Sequence, residues 1–385
     1  MFTGFMTLYM LELGVTLTQV GMIASLGMLV HIFFALISTY ITDKFGRVYT
    51  TLVFDILGWG LTLLIWAVAQ NVYFFIAAAF TNAMFRVVSN SWQCMILEDS
   101  EPDSRVHIFN FLHMASIIGG FFTPFGAVLI NRMELVPAMR VMLFGGFISL
   151  MTMFIVRHFF VTETQIGRQK MQEMKGVSIF SAFGSYIPVL KRIIADRLLV
   201  IAILIRALNF VQLTVRTTFL AVLVTQGLNF PAEVMALFHT LNAVVMLLVL
   251  LFITPALARF TRRWPISFGL WCHLAATAVL LLSPMENYPL LIVSAVLIAL
   301  GTGIATPRID ALVANTINNE DRSVANVIMS ICIMTLTAPF AYAGGLLSEV
   351  DARLPFVMTF GLFVLCLMML RLASVVERRQ GLPLI

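Results

Sequence analysis

TYITDKFGRVYT, residues 39–50, is a short polar interruption between two long apolar runs, 17–42 and 49–69. Each run exceeds the ~20 residues that a helix needs to cross a hydrocarbon core. Asp43, Lys44, Gly46 and Arg47 therefore fall on a turn at the edge of a membrane. Gly46 permits a tight reversal. Arg47 has the fork geometry to grip a carboxylate or a helix C-terminus. Asp43 sits where one helix ends and the next begins, near an N-terminus that favours negative charge.

The rest of the chain has the same character. Of its 385 residues, 60% are hydrophobic and 11% are charged, against ~45–50% and ~25% in a soluble domain. So few charges cannot cover that much apolar surface in water. An ordinary soluble enzyme, a nucleic-acid-binding domain and a disulfide-stapled module are excluded. Eleven apolar runs are long enough to span: 17–42, 49–69, 72–96, 106–130, 136–160, 198–223, 232–256, 264–284, 288–313, 323–347 and 352–376. Helices are expected throughout, since open sheet edges do not survive in lipid. No charged leader precedes the opening apolar residues, so no cleavable signal is expected.

Basic residues set the orientation. Segments 43–50, 98–107, 157–197, 259–263, 316–323 and 371–379 hold 17 of the 24 Lys and Arg. That side is expected to be cytoplasmic, with the C-terminus on it. The net charge of +5 then reflects topology, and no nucleic-acid partner is expected. The four cysteines lie far apart in apolar runs. They suggest buried hydrophobes, with no metal site and no disulfide framework.

Residues 161–197 form the one long connection, polar and then amphipathic, and suggest a linker with an interfacial helix. The sequences on either side echo each other. ELGVTLTQVG (12–21) matches TQGLNFPAEV (225–234), EDSEPDSR (98–105) matches TINNEDR (316–322), and Pro124 matches Pro339, 215 positions later. Paired six-span repeats are a transporter feature. The same offset places the partner of the first C-terminal span before Met1. The opening run, Met1 to about Leu13, is thus expected to be the end of a first helix lacking on the order of 16 residues.

The loop at 39–50 resembles the signature loop of the major facilitator superfamily, a Gly-x-Leu-Ala-Asp-Arg/Lys-x-Gly-Arg-Arg/Lys pattern. Asp43, Lys44, Gly46 and Arg47 match it, while Thr39 and Val48 depart from it. The resemblance implies a loop that latches the cytosolic side of two helical bundles. Its second-half copy, ALARFTRRWP (256–265), keeps the basic residues and lacks the Asp and Gly. SIIGGFFTPFGAVL (116–129) is similar to the glycine-proline motif of superfamily antiporters, but Thr123, Ala127 and Val128 replace glycines. Close helix packing explains its small residues equally well.

Substrate chemistry is expected on polar stripes. Asn82, Arg86, Asn90 and Gln93 lie within ~80° of one helical face. Arg86 is near mid-depth, where an arginine costs ~2.5–3.5 kcal/mol on insertion scales. It is either a substrate ligand or an arginine satisfied inside the bundle. Arg206, Asn209, Gln212 and Arg216 form a second stripe within ~120°. By analogy with the superfamily fold, Arg86 and Arg206 would clamp a carboxylate or phosphate. Arg308 and Asp310 are expected to form an ion pair or gate. His31 is the leading proton-coupling candidate, unless it only makes a hydrogen bond; Asp55 and Asp310 are the others, with His113 and His239 behind them.

The expectation is an all-α membrane protein of the major facilitator fold. Two six-helix bundles, 1–160 and 197–385, would flank a linker at 161–196. It would be a monomeric secondary transporter in the plasma (inner) membrane, moving a small anion by alternating access with a proton or sodium ion as coupling ion. The alternatives are a proton-coupled efflux antiporter and a non-transporting sensor or assembly factor. Nucleotide-loop and hydrolase motifs are missing from the sequence, so neither catalysis nor a cofactor is expected.

Overall fold

The structure is a computed structural model and describes residues 2–100, 108, 111–112, 114–115, 118–179, 186–257, 263–316 and 322–380. The described residues are almost entirely helical: α1 (Met6–Glu12), α2 (Leu17–Phe45), α3 (Arg47–Ala67), α4 (Val72–Ala83), α5 (Phe85–Glu98), α6 (Thr123–Met133), α7 (Leu135–Phe160), α8 (Gln165–Glu173), α9 (Tyr186–Ala195), α10 (Arg197–Gly227), α11 (Val234–Ile253), α12 (Arg263–Leu282), α13 (Tyr288–Thr316), α14 (Arg322–Val350) and α15 (Leu354–Gln380). Helix starts carry the expected caps. Thr16 accepts from Gln19 N in a capping box, and Asn71, Thr164 and Asp196 cap α4, α8 and α10.

Ten helices among the described residues are long and apolar enough to cross a membrane, against eleven read from the sequence. The run at 106–130 accounts for the difference, because much of it, with the repeat segments 98–105 and 316–322, lies outside the described residues. Large side chains such as Phe33, Phe125, Phe160 and Leu282 stand exposed on these helices. They are accommodated only if lipid surrounds them.

Among the described residues, one buried apolar cluster crosses between the two halves of the chain, at the end opposite the basic loops, from Phe5, Tyr9, Phe75 and Leu143 to Phe219, Leu228 and Phe356. Helix α2 packs lengthwise on α14, and α6 packs on α11. The closest approach is backbone on backbone. A Cβ at Gly21 would stand 2.7 Å from the Ala341 carbonyl oxygen and 2.9 Å from Gly345 Cα. Thr18 also donates to the Glu349 carboxylate across this seam. Near the basic end the buried clusters belong to the C-terminal half. One of them joins the amphipathic helix α9, through Val189 and Ile193, to α10 and α14.

This seam yields a prediction. Gly21→Val puts side-chain atoms where only backbone fits, so α2 and α14 must separate. Maleimide labelling of a Thr18→Cys reporter is expected to rise severalfold in the Gly21→Val background. Unchanged labelling would show that the neighbouring helix gives way at no cost.

Candidate functional site

The third apolar run, 72–96, is not one uninterrupted helix. Met84 breaks it into α4 and α5, and Phe85 lies against Gly58 and Trp59 of α3, where the latter contains a π-helical turn at Ile56–Gly60. The break places Arg86 in the first turn of α5, at the wall of a central cavity of about 510 Å³. Helices α1, α2, α3, α4, α5, α10 and α14 all contribute to that cavity. Its surface is largely apolar and aromatic, with Trp66, Phe75, Phe85 and Phe210.

Three expected site residues line this cavity together: Asn82, Arg86 and His31. Arg86 donates to Ser330 Oγ at 2.6 Å, a contact between the two halves, and forms no ion pair with a described carboxylate. The Asn82 amide nitrogen and His31 Nδ1 are buried without partners. Donors in excess of acceptors on an apolar surface favour an acceptor-rich guest.

The other expected residues go elsewhere. Asn90 donates to Thr42 Oγ1 at 3.3 Å, toward the 39–50 loop. Gln93 lines a second cavity of about 770 Å³ with Trp92, Asp55 and Arg157; Phe85 and Ser89 border both spaces. Asp55 is ion-paired to Arg157, whose guanidinium lies 5.1 Å over the Trp92 ring.

The stripe on α10 faces α13. Arg206 pairs with Asp310 at 2.9 Å, Asn209 donates to Thr306 at 3.5 Å, and Arg216 donates to Thr302 at 3.4 Å. The two antiparallel helices thus carry matched polar rows. The face of α10 turned to the central cavity holds Phe210, Thr214 and Thr218 instead. Gln212 lies behind it, inside the C-terminal half. Arg308 does not take Asp310 as its partner: it donates to the carbonyls of Ile304 at 2.9 Å and Thr254 at 3.4 Å. Spacing on one helix could not show that a carboxylate about 100 residues later, on another helix, would reach Arg206 first.

The 39–50 loop is a buried network. Arg47, 3% exposed, reaches both Asp43 and Glu98 at 3.0 Å. Glu98 also accepts from the Thr164 hydroxyl, and Glu163 accepts from the Val48 amide at 3.0 Å at the start of α3. Gly46 has φ +84°, and a Cβ there would stand 2.7 Å from Glu163 Oε2. Lys44 instead donates to the Tyr40 hydroxyl at 2.7 Å. The loop therefore ties α2, α3, α5 and the residues entering α8 to one another. Glu98, Glu163 and Thr164 were not singled out in the sequence; the only available signal was the position of Glu98 at a span end. Half of the second-half copy, residues 258–262, lies outside the described residues.

The model of the Major Facilitator Superfamily matches residues 1–223 and 202–383, so nearly every residue falls under it. The chain belongs to the major facilitator superfamily. It is a multi-pass membrane transporter and not an enzyme. A Bacillus subtilis (strain 168) protein described as an uncharacterized MFS-type transporter, YqjV, is 29% identical over 153 residues. That match spans 38% of this chain and only 37% of the relative. Among solved structures, a D-xylose-proton symporter is similar at a TM-score of 0.72 and 14% identity, covering 96% of this chain and 94% of that one. The nucleoside transporter NupG is similar at 0.70 and 11%, covering 97% and 96%. At these identities the likeness establishes the superfamily fold and leaves the substrate open.

Proposed function

We propose that this superfamily member moves a small organic or inorganic anion across the plasma membrane by alternating access, with Arg86 as the anchor. The observation that carries the reading is Arg86 itself, on the wall of the central cavity with one hydroxyl as its partner among the described residues. A cation kept in such a place without a carboxylate is expensive unless a guest supplies the charge. His31, on the same wall, is the group proposed to carry a coupling proton. Arg206 is held by Asp310 and stands as a neighbour that an arriving anion can recruit.

The basic loops are placed on the cytosolic side, with the C-terminus. Two bundles, 1–160 and 197–385, rock about the cavity on the linker 161–196, as a monomer. The apolar cluster crossing the halves at the opposite end supports a state sealed toward the exterior. Efflux of cationic drugs is disfavoured, because the residues lining the central cavity include no carboxylate.

The aromatic wall supports a second reading, a nucleoside or a sugar, in keeping with the solutes named for the two similar structures. Proteoliposome uptake of radiolabelled lactate, glutamate, phosphate, xylose and uridine, with and without a pH gradient, separates the two. Accumulation of at least one anion, raised severalfold by inward-directed protons, is expected. Uptake of xylose or uridine alone would refute the anion reading.

A further inference from the structure

A second polar space lies inside the C-terminal half, on the side of α10 away from the central cavity. It is a cavity of about 20 Å³ bordered by Gln212, Arg216, His273, Thr277 and Thr359, with Phe363 stacked on His273 at 5.1 Å. Gln212 is 5% exposed, and its amide nitrogen has no hydrogen-bond partner. The Arg216 guanidinium reaches only the Thr302 hydroxyl, 3.4 Å from each Nη, at the long edge of hydrogen bonding. No described carboxylate pairs with it. The Thr277 and Thr359 protons are already committed, each donated at 2.9 Å to the carbonyls of His273 and Phe356.

The threonine oxygens keep lone pairs that can accept, but no described group here carries a negative charge to balance the guanidinium, and the Gln212 N–H is unspent. Water could accept from both but would leave a positive charge uncompensated inside the bundle. The volume admits one guest about the size of a water, which excludes carboxylates and phosphates. We infer that this cavity holds a single monatomic anion of the halide class, a resident counter-ion of Arg216 separate from the transported solute.

The test is thermal unfolding of the purified full-length protein in sodium chloride, sodium bromide and sodium gluconate at equal ionic strength. A ligand of the native state raises Tm saturably, here by about 2 °C or more in either halide. Gln212→Glu tethers a carboxylate beside Arg216. It is expected to abolish the halide response and to be at least as stable in gluconate as the wild type is in chloride. Arg86→Gln should keep the full response, so failure of this site is distinguishable from failure of the transport reading. Diffraction from wild-type crystals grown in bromide adds a readout free of variants, with an anomalous peak expected beside Arg216 and Gln212. Absence of that peak, equal Tm in all three salts, or a halide response surviving in Gln212→Glu would each overturn the inference.

Discussion

Arg47→Ala is expected to lower stability by about 3–5 kcal/mol, the range for breaking a buried ion pair by removing one partner. The loss is large because Arg47 serves two carboxylates. Asp43 and Glu98 both lie 3.0 Å from its guanidinium, which is 3% exposed. Without it, two negative charges face each other beside the Thr164 hydroxyl, which Glu98 also holds. Arg47→Lys should recover only part of the loss, since one ammonium cannot reproduce a fork spread over two acceptors. Differential scanning of the detergent-purified variants measures this, with far-UV circular dichroism as a check on helix content. If Arg47 were only a positive charge fixing orientation, lysine would restore wild-type stability in full.

That network shows where the sequence was informative. The spacing of Asp43, Gly46 and Arg47 between two apolar runs placed the turn, and the glycine proved to have φ +84°. What the turn holds was not legible, because Glu98 and the pair Glu163 and Thr164 come from two other places in the chain. The apolar runs were legible because lipid imposes a length and a polarity on each of them. The interruption of the third was hidden: TNAMFRVV, 81–88, contains neither proline nor glycine. Its neighbour, the π-turn of α3 around Gly58, lies elsewhere in the chain.

Polar stripes were visible as periodicities, yet periodicity gives a direction on one helix and says nothing of what stands opposite. On α5 the stripe divides, with Arg86 in the central cavity, Asn90 at the loop and Gln93 in the adjoining space. On α10 the stripe meets a matching row on α13, about 100 residues later, and Arg206 finds Asp310 there.

Arg86 remains the residue on which transport is proposed to depend. A buried, charge-assisted contact contributes about 1.5–3 kcal/mol, so its loss weakens affinity about tenfold or more. Arg86→Gln removes the charge but leaves a hydrogen-bond donor near Ser330, and Arg86→Lys keeps the charge while losing the planar fork. Both variants should insert normally, because desolvating an unpaired arginine is unfavourable to begin with. Transport should fall in both, and further in glutamine than in lysine.

The most direct measurement is the dissociation constant of the anion that accumulates most strongly in the uptake panel, taken by isothermal titration on wild type, Arg86→Lys and Arg86→Gln in the same detergent. Arg86 as anchor predicts at least tenfold weaker binding in both variants, with xylose and uridine unaffected. Wild-type affinity in both would contradict it and leave Arg86 as a strut between the halves through Ser330.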